Sequence, residues 1–245
     1  RKLVFSGALG PGRTPILCDP ATVPAADLVV MESTYGDRLH KSREDTIAEL
    51  AAIFAAAHRD GGNVVIPAFA VGRTQELLYF FAEHFDAWNL SAFKLFLDSP
   101  MAISVTDLYR RHMREHRLTL SQLHAIDHAA FMTRTLDESK AIAGRRGPKL
   151  IIAGSGMATG GRVLHHLALY ASDPDNTIAL VGFQAAGTRG AALEAHEPSI
   201  KLLGEYVPVH AEIASISSLS AHADYNETLR WLGGMARPPA RTFVT

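Results

Sequence analysis

His222 stands in Ser217-Ser218-Leu219-Ser220-Ala221-His222-Ala223-Asp224, a loop of small residues just after the apolar run Ile213–Ile216, with a carboxylate two positions on. Imidazole exchanges its proton near neutrality, so a histidine at the mouth of a strand can serve as general acid or metal ligand. A lone histidine is more often structural, and on these residues alone both readings stay open. Glu32 is the second residue of this kind. It closes the apolar run Val29-Val30-Met31 and opens Glu32-Ser33-Thr34-Tyr35, where it is awkward as a helix cap. Asp98 follows Phe96-Leu97 and is as readily a cap for the residues after it as a chemical group.

The loop Gly154-Ser155-Gly156-Met157-Ala158-Thr159-Gly160-Gly161-Arg162 lies between the apolar run Leu150–Ala153 and a helical pattern. Glycines let backbone N–H groups approach an anion, and a following helix N-terminus adds partial positive charge. The spacing G-x-G-x-x-x-G is not the dinucleotide fingerprint, and no acidic residue ends the next strand. A tight strand-to-helix turn explains the glycines equally well. In Arg110-Arg111-His112-Met113-Arg114-Glu115-His116-Arg117, the spacing predicts a helix with Arg110, Arg114 and Arg117 on one face, able to track phosphates. His112/His116 and His124/His128 are spaced as i,i+4 metal pairs, but neither fits H-E-x-x-H, and a solvated helix face is the better reading.

The elements that must position these residues alternate. Strands are predicted at Leu3–Ser6, Leu28–Glu32, Val64–Pro67, Lys94–Asp98, Leu150–Ala153, Ile178–Gly182, Ala211–Ser217 and Thr242–Thr245. Helical spacing links Ile47, Leu50, Phe54 and Ala57 behind a Ser42/Asp45 cap pair, then Leu77, Phe81 and Phe85, Val163 to Tyr170, and Asp224 to Met235. Such alternation means an α/β fold with mainly parallel sheet, and ligands then bind outside the carboxyl ends of the strands. Leu108 to Arg146 reads as a helical insertion.

Composition narrows the class. The 245 residues are 47% apolar and 20% charged, which excludes wholesale disorder. No run of about 18 apolar residues is present, so no membrane span is expected. The one cysteine, Cys18, fits a reducing compartment, and a cytoplasmic location is expected. Net charge is −1, yet 18 arginines against 6 lysines leave room for a phosphate-binding groove. Both ends fall inside apolar runs, from which a window of a longer protein is expected.

The order SGALG, ESTYGDRLH, VIPAFAVGRTQELL, DSPMA, GSGMATGGR, GFQAAGTRG and SAHADYNETLRWL resembles the metallo-β-lactamase-fold RNA hydrolases of the β-CASP group, over nearly all of the chain. These include the pre-mRNA 3′-end-processing endonuclease subunit and, more distantly, ribonuclease J. The resemblance implies a partial αββα metallo-β-lactamase fold with an inserted Rossmann-like β-CASP domain. Residues 1–40 and 205–245 would belong to the first domain and residues 41–204 to the insert, with RNA entering the cleft between them.

It further implies that Glu32 orients His222, and that His222 protonates the leaving oxygen during phosphodiester hydrolysis. Ser155 and Gly156, with Arg73, Thr188 and Arg189, correspond to positions expected to hold RNA phosphates. Two zinc ions are expected in the complete protein. The family's H-x-H-x-D-H motif has no counterpart here, and Ala8 in SGALG occupies the place of its metal-bridging aspartate. None of the family's metal ligands is thus identified in this chain, which alone is expected to be inactive. RNA is the partner implied, a homodimer is an open option, and no membrane is involved. The alternative is a non-catalytic RNA-binding or scaffolding paralogue; a nucleotide-binding Rossmann protein would rest on the glycine loop alone.

Overall fold

A computed structural model describes residues 1–216 and 218–245; Ser217, placed by sequence in the loop before His222, lies outside the described residues. In chain order the elements are β1 (Leu3–Phe5), β2 (Leu28–Met31), α1 (Arg43–Asp60), β3 (Val64–Pro67), α2 (Arg73–Glu83), β4 (Lys94–Asp98), α3 (Pro100–Arg111), α4 (Leu120–Ala129), β5 (Phe131–Met132), α5 (Leu136–Ala141) and β6 (Lys149–Ala153). They continue with α6 (Val163–Tyr170), β7 (Thr177–Val181), α7 (Arg189–Glu194), β8 (Ser199–Leu202), β9 (Glu205–Pro208), β10 (Glu212–Ile216), α8 (Tyr225–Gly233) and β11 (Arg241–Val244). The chain forms two compact units: Arg1–Lys41 with Arg114–Arg117 and Ser220–Thr245, and Ser42–Met113 with Leu118–Leu219.

In the first unit β2 lies between β1 and β11 in a parallel three-stranded sheet, with Phe5 and Phe243 both level with Val30. Val29 and Met31 are buried with Ala26 and Met235, and Trp231 and Leu232 of α8 pack against them. The alternation half-buried, buried along Leu28–Met31 fits a strand covered on one face. That packing fixes where β2 stops, and so where Glu32 leaves the sheet. α8 opens with a reciprocal cap: Asp224 Oδ1 accepts from the Glu227 N–H at 2.9 Å, and Glu227 Oε2 accepts from the Asp224 N–H at 3.1 Å.

The second unit is built on a six-stranded parallel sheet in the order β10-β7-β3-β6-β4-β5. Every residue of β3, β6 and β7 is buried, which requires cover on both faces. Ser42 caps α1, its hydroxyl accepting from the Asp45 N–H at 3.0 Å, and Leu50, Phe54 and Ala57 turn inward as their spacing predicts. Pro67 and Asp98 both pair with Ala153, so β3, β4 and β6 end level. The chain passes back to the first unit between Leu219 and Ser220, because Glu212–Ile216 pairs with Thr177–Val181 in this sheet.

Two sequence expectations change. The arginine-rich run is not one helix: α3 stops at Arg111 with His112 as its C-cap, so Arg110, Arg114 and Arg117 share no helical face and His112/His116 form no i,i+4 pair. Arg110 instead pairs with Asp107 and Asp127, and Arg117 with Asp19 at 3.0 Å. The antiparallel hairpin β8–β9 is an addition the apolar runs did not signal. Its turn places Leu203 and Gly204 at positive φ, and its outer residues, including Tyr206, are exposed. Among the described residues no helix is long and apolar enough to cross a membrane.

Candidate active site

Glu32 and His222 come from opposite ends of the sequence and meet in the first unit. Ser6, at the end of β1, donates its N–H to the Val30 carbonyl at 2.9 Å, and its hydroxyl accepts from the Glu32 N–H at 3.2 Å. The SGALG loop is thereby laid along the residues that follow β2. Its Leu9 N–H donates to Glu32 Oε1, and its Leu9 carbonyl accepts from the Ala223 N–H at 2.6 Å. The backbone of one residue thus touches the carboxylate through its N–H and the neighbour of His222 through its carbonyl.

Glu32 Oε2 then accepts from His222 Nδ1 at 2.7 Å and from the Thr34 hydroxyl at 2.6 Å. A carboxylate can only accept here, so the imidazole proton sits on Nδ1 and the Nε2 edge is the one left to give or take a proton. The Glu32 side chain is 14% exposed and that of His222 34%, so the acid is sheltered while the ring can be reached. His40 was not singled out by sequence. Its Nε2–H donates to the His222 carbonyl at 2.9 Å, its own N–H donates to Asp224 Oδ2 at 3.2 Å, and its ring meets that of Tyr35 edge-on at 4.7 Å. The only sequence signal was its place within ESTYGDRLH, the stretch that also carries Glu32. Asp224, two residues past His222, is occupied as a helix cap and a brace for this loop.

Ala8 stands exposed in the SGALG loop, and a methyl group offers no donor to a cation. Among the described residues no three of His, Cys, Asp and Glu are grouped to hold a metal ion. Exposed His124 and His128 on α4 belong to no such group either.

In the second unit the glycine loop closes on itself. The Ser155 N–H donates to the Gly160 carbonyl at 3.1 Å, and the Ser155 hydroxyl accepts from the N–H groups of Thr159 and Gly160 at 3.0 and 3.2 Å. A Cβ at Gly156 would lie 2.7 Å from the ring of Phe69, and one at Gly161, where φ is +79°, would run into the Gly154 carbonyl. The glycines therefore serve a close turn. Thr188 caps α7, its hydroxyl accepting from the Ala191 N–H at 3.1 Å. The Arg189 guanidinium donates to the carbonyls of Lys201, Ala158 and Thr159. Arg73 is buried and paired with Glu76. Ser155 and Gly156 thus lie in one loop, Arg189 reaches the same loop, Thr188 caps the adjoining helix, and Arg73 begins α2.

The most buried carboxylate of this unit is Asp98, and it is not a helix cap; Ser99 is, accepting from the Ala102 N–H at 3.3 Å. Asp98 Oδ1 accepts from Thr133 at 2.6 Å and Arg162 at 2.7 Å, while Oδ2 accepts from Ser139 at 2.6 Å and His166 Nε2 at 2.7 Å. Burial on its own would raise its pKa, but the hydrogen bonds from His166, Ser139, Thr133 and Arg162 outweigh it and hold the carboxyl well below the usual range. Sequence gave no sign of this cluster, since its members come from four separate segments.

Two family models match the chain: the Beta-Casp domain over residues 74–193, and the Zn-dependent metallo-hydrolase RNA specificity domain over residues 206–245. Among curated proteins the chain is 39% identical to a Thermus thermophilus protein named as a ribonuclease, over 97% of this chain and 56% of that protein. It is 28% identical to an RNase J-like protein of Methanocaldococcus jannaschii, with the same two coverages, 97% and 56%. It is also 28% identical to a transcription termination factor of Pyrococcus abyssi, over 93% of this chain and 37% of that protein. The chain thus spans about half the length, or less, of these relatives. With both domain models in place and the seven motifs in order, the chain belongs to the β-CASP family of the metallo-β-lactamase fold.

Proposed function

We propose that a complete protein containing this chain is a metal-dependent RNA phosphodiester hydrolase, a cytoplasmic nuclease of RNA processing or decay. The observation that carries this reading is the 2.7 Å pairing of Glu32 with His222 in a chain of this family. The carboxylate holds the proton on Nδ1 and turns the opposite edge of a partly exposed ring outward, the disposition needed to protonate a leaving oxygen. Relatives named as a ribonuclease and as RNase J-like support RNA as the substrate.

We keep the expected division into a metallo-β-lactamase domain that begins with residues 1–40 and a β-CASP domain from residue 41. The return to the first domain moves from residue 205 to Ser220, because β10 pairs with β7 in the second unit's sheet. Ser155, Gly156 and Thr188 are assigned to RNA phosphates, and Arg73 and Arg189, expected from sequence to share that role, are assigned to bracing the segments they already bond. The place of the loop, directly after the carboxyl end of the parallel strand β6, supports that assignment, and the internal partners of the two arginines tell against a direct grip by their guanidiniums. Zinc is the metal proposed, in keeping with the description of the second family model, and it would neutralise phosphate charge and activate water. The described residues of this chain do not fit such a centre, so its ligands would have to come from elsewhere.

The test is RNA cleavage by the complete protein carrying Ala8→Asp, with zinc, against the same protein carrying His222→Ala as well. Cleavage only with His222 present is the expected result, and no difference between the two would defeat the proposal. Ala8 itself favours a second reading, a non-catalytic RNA-binding paralogue. RNA bound without cleavage by the Ala8→Asp protein would establish that reading instead.

A further inference from the structure

We infer that Thr34 is a positioning residue for His222, acting through Glu32. This rests on reading Glu32 and His222 as the proton-transfer pair. The Thr34 hydroxyl has one proton and two carboxylate or ring acceptors in view. It is 2.6 Å from Glu32 Oε2 and 3.4 Å from His222 Nδ1, so the proton goes to the carboxylate. Were it turned toward the ring, it would donate to Nδ1 and select the opposite tautomer, with the proton on Nε2. Thr34 therefore does two things at once: it fixes the rotation of the Glu32 carboxylate, and it leaves Nδ1 with no acceptor role to play.

The rest of the cradle is backbone. The Leu9 N–H holds Glu32 Oε1, and the Leu9 carbonyl holds the Ala223 N–H at 2.6 Å. The SGALG loop thus braces the pair through the Leu9 backbone N–H and carbonyl, with no part played by the Ala8 side chain. Among the described residues three donors converge on the Glu32 carboxylate; of these Thr34 is the one side chain besides His222 itself, and it is the one that mutation can remove cleanly.

The experiment is nitrogen NMR of the 245-residue chain with labelled histidine, above the pH at which imidazole is charged, with the His222 signals identified by their loss in His222→Ala. Wild type and Thr34→Ser are expected to show a protonated Nδ1 and a bare Nε2. Thr34→Val and Thr34→Ala are expected to move both shifts toward the exchange-averaged values of free imidazole. A wild-type pattern retained in Thr34→Val or Thr34→Ala with an unchanged amide spectrum overturns the inference, as does a bare Nδ1 in wild type. Should both of those variants lose the folded spectrum, loss of the Nδ1–H pattern in folded Thr34→Ser would equally overturn it. No RNA enters this measurement. A complete protein that fails to cleave RNA would therefore remove the proposed function while leaving the role of Thr34 to stand or fall on the spectra.

Discussion

His222 Nδ1 donates to Glu32 Oε2 at 2.7 Å, joining two side chains 190 residues apart at the end of one parallel strand. The pairing fixes which face of the imidazole is free, so its disruption should separate chemistry from binding. In a cleavage-competent complete protein, His222→Ala is expected to lower turnover by about 100- to 10,000-fold, the usual range for losing a general acid. RNA affinity should stay within a few-fold, since one ring adds little to phosphate contacts. Single-turnover cleavage and equilibrium binding measured on the same RNA check this, and a large affinity loss would make His222 a binding residue.

Asp98 should make the fold acid-sensitive. Its folded-state pKa is depressed, so the unfolded chain takes up the proton more readily. The stabilisation is complete above the ordinary aspartate pKa of about 3.9 and is lost progressively as pH falls below it. Thermal unfolding followed between pH 7 and pH 2 should show a shallower acid dependence for Asp98→Asn than for wild type. At neutral pH that substitution strips the buried His166 and the half-buried Arg162 of their carboxylate and should cost about 3–5 kcal/mol.

Gly156 and Gly161 are held by steric need. Gly156→Ala drives a methyl to 2.7 Å from the Phe69 ring, and Gly161→Ala forces a side chain onto a φ of +79° beside the Gly154 carbonyl. Each should cost about 1–3 kcal/mol, with loss of the Ser155 hydroxyl's contacts to Thr159 and Gly160. Chemical denaturation gives the cost, and amide exchange at residues 155–161 shows whether the loop opens.

Thr188 and Arg189 offer a direct contrast. Thr188→Ala removes the cap of α7 and should cost about 1 kcal/mol, whereas Thr188→Ser should cost much less. Arg189→Ala removes the donors that tie the carbonyls of Ala158 and Thr159 to that of Lys201. It should lower stability while leaving the salt dependence of RNA binding nearly unchanged, because those N–H groups are already engaged. A flattened salt slope in Arg189→Ala would show instead that the guanidinium meets phosphate.

Much of this was legible in the chain. Val64–Pro67 and Lys94–Asp98 are strands with the bounds their apolar runs give, and Ser42 caps α1 as its spacing with Asp45 predicts. These are local matters: a run of branched apolar residues must be buried on both faces, and a hydroxyl three residues before a free N–H can cap it. The motif order likewise sufficed for the family, because seven short stretches in one sequence order are informative without any geometry.

Other features required the fold. Arg110 to Arg117 carries a helical pattern, yet α3 ends at Arg111, and Arg110 is spent on Asp107 and Asp127. Asp98 was as readily a cap as a chemical group by its place at a strand end, and it is the acceptor of four donors drawn from Thr133, Ser139, Arg162 and His166. His40 and the Leu9 backbone carried no chemical signature, and both hold the Glu32–His222 pair in place. The sequence by itself determined the residue types, the strand–helix alternation and the absence of an aspartate at position 8. Only the tertiary structure decided which of those side chains meet, because a hydrogen bond across 190 residues depends on strand order and register, and neither is written in local spacing.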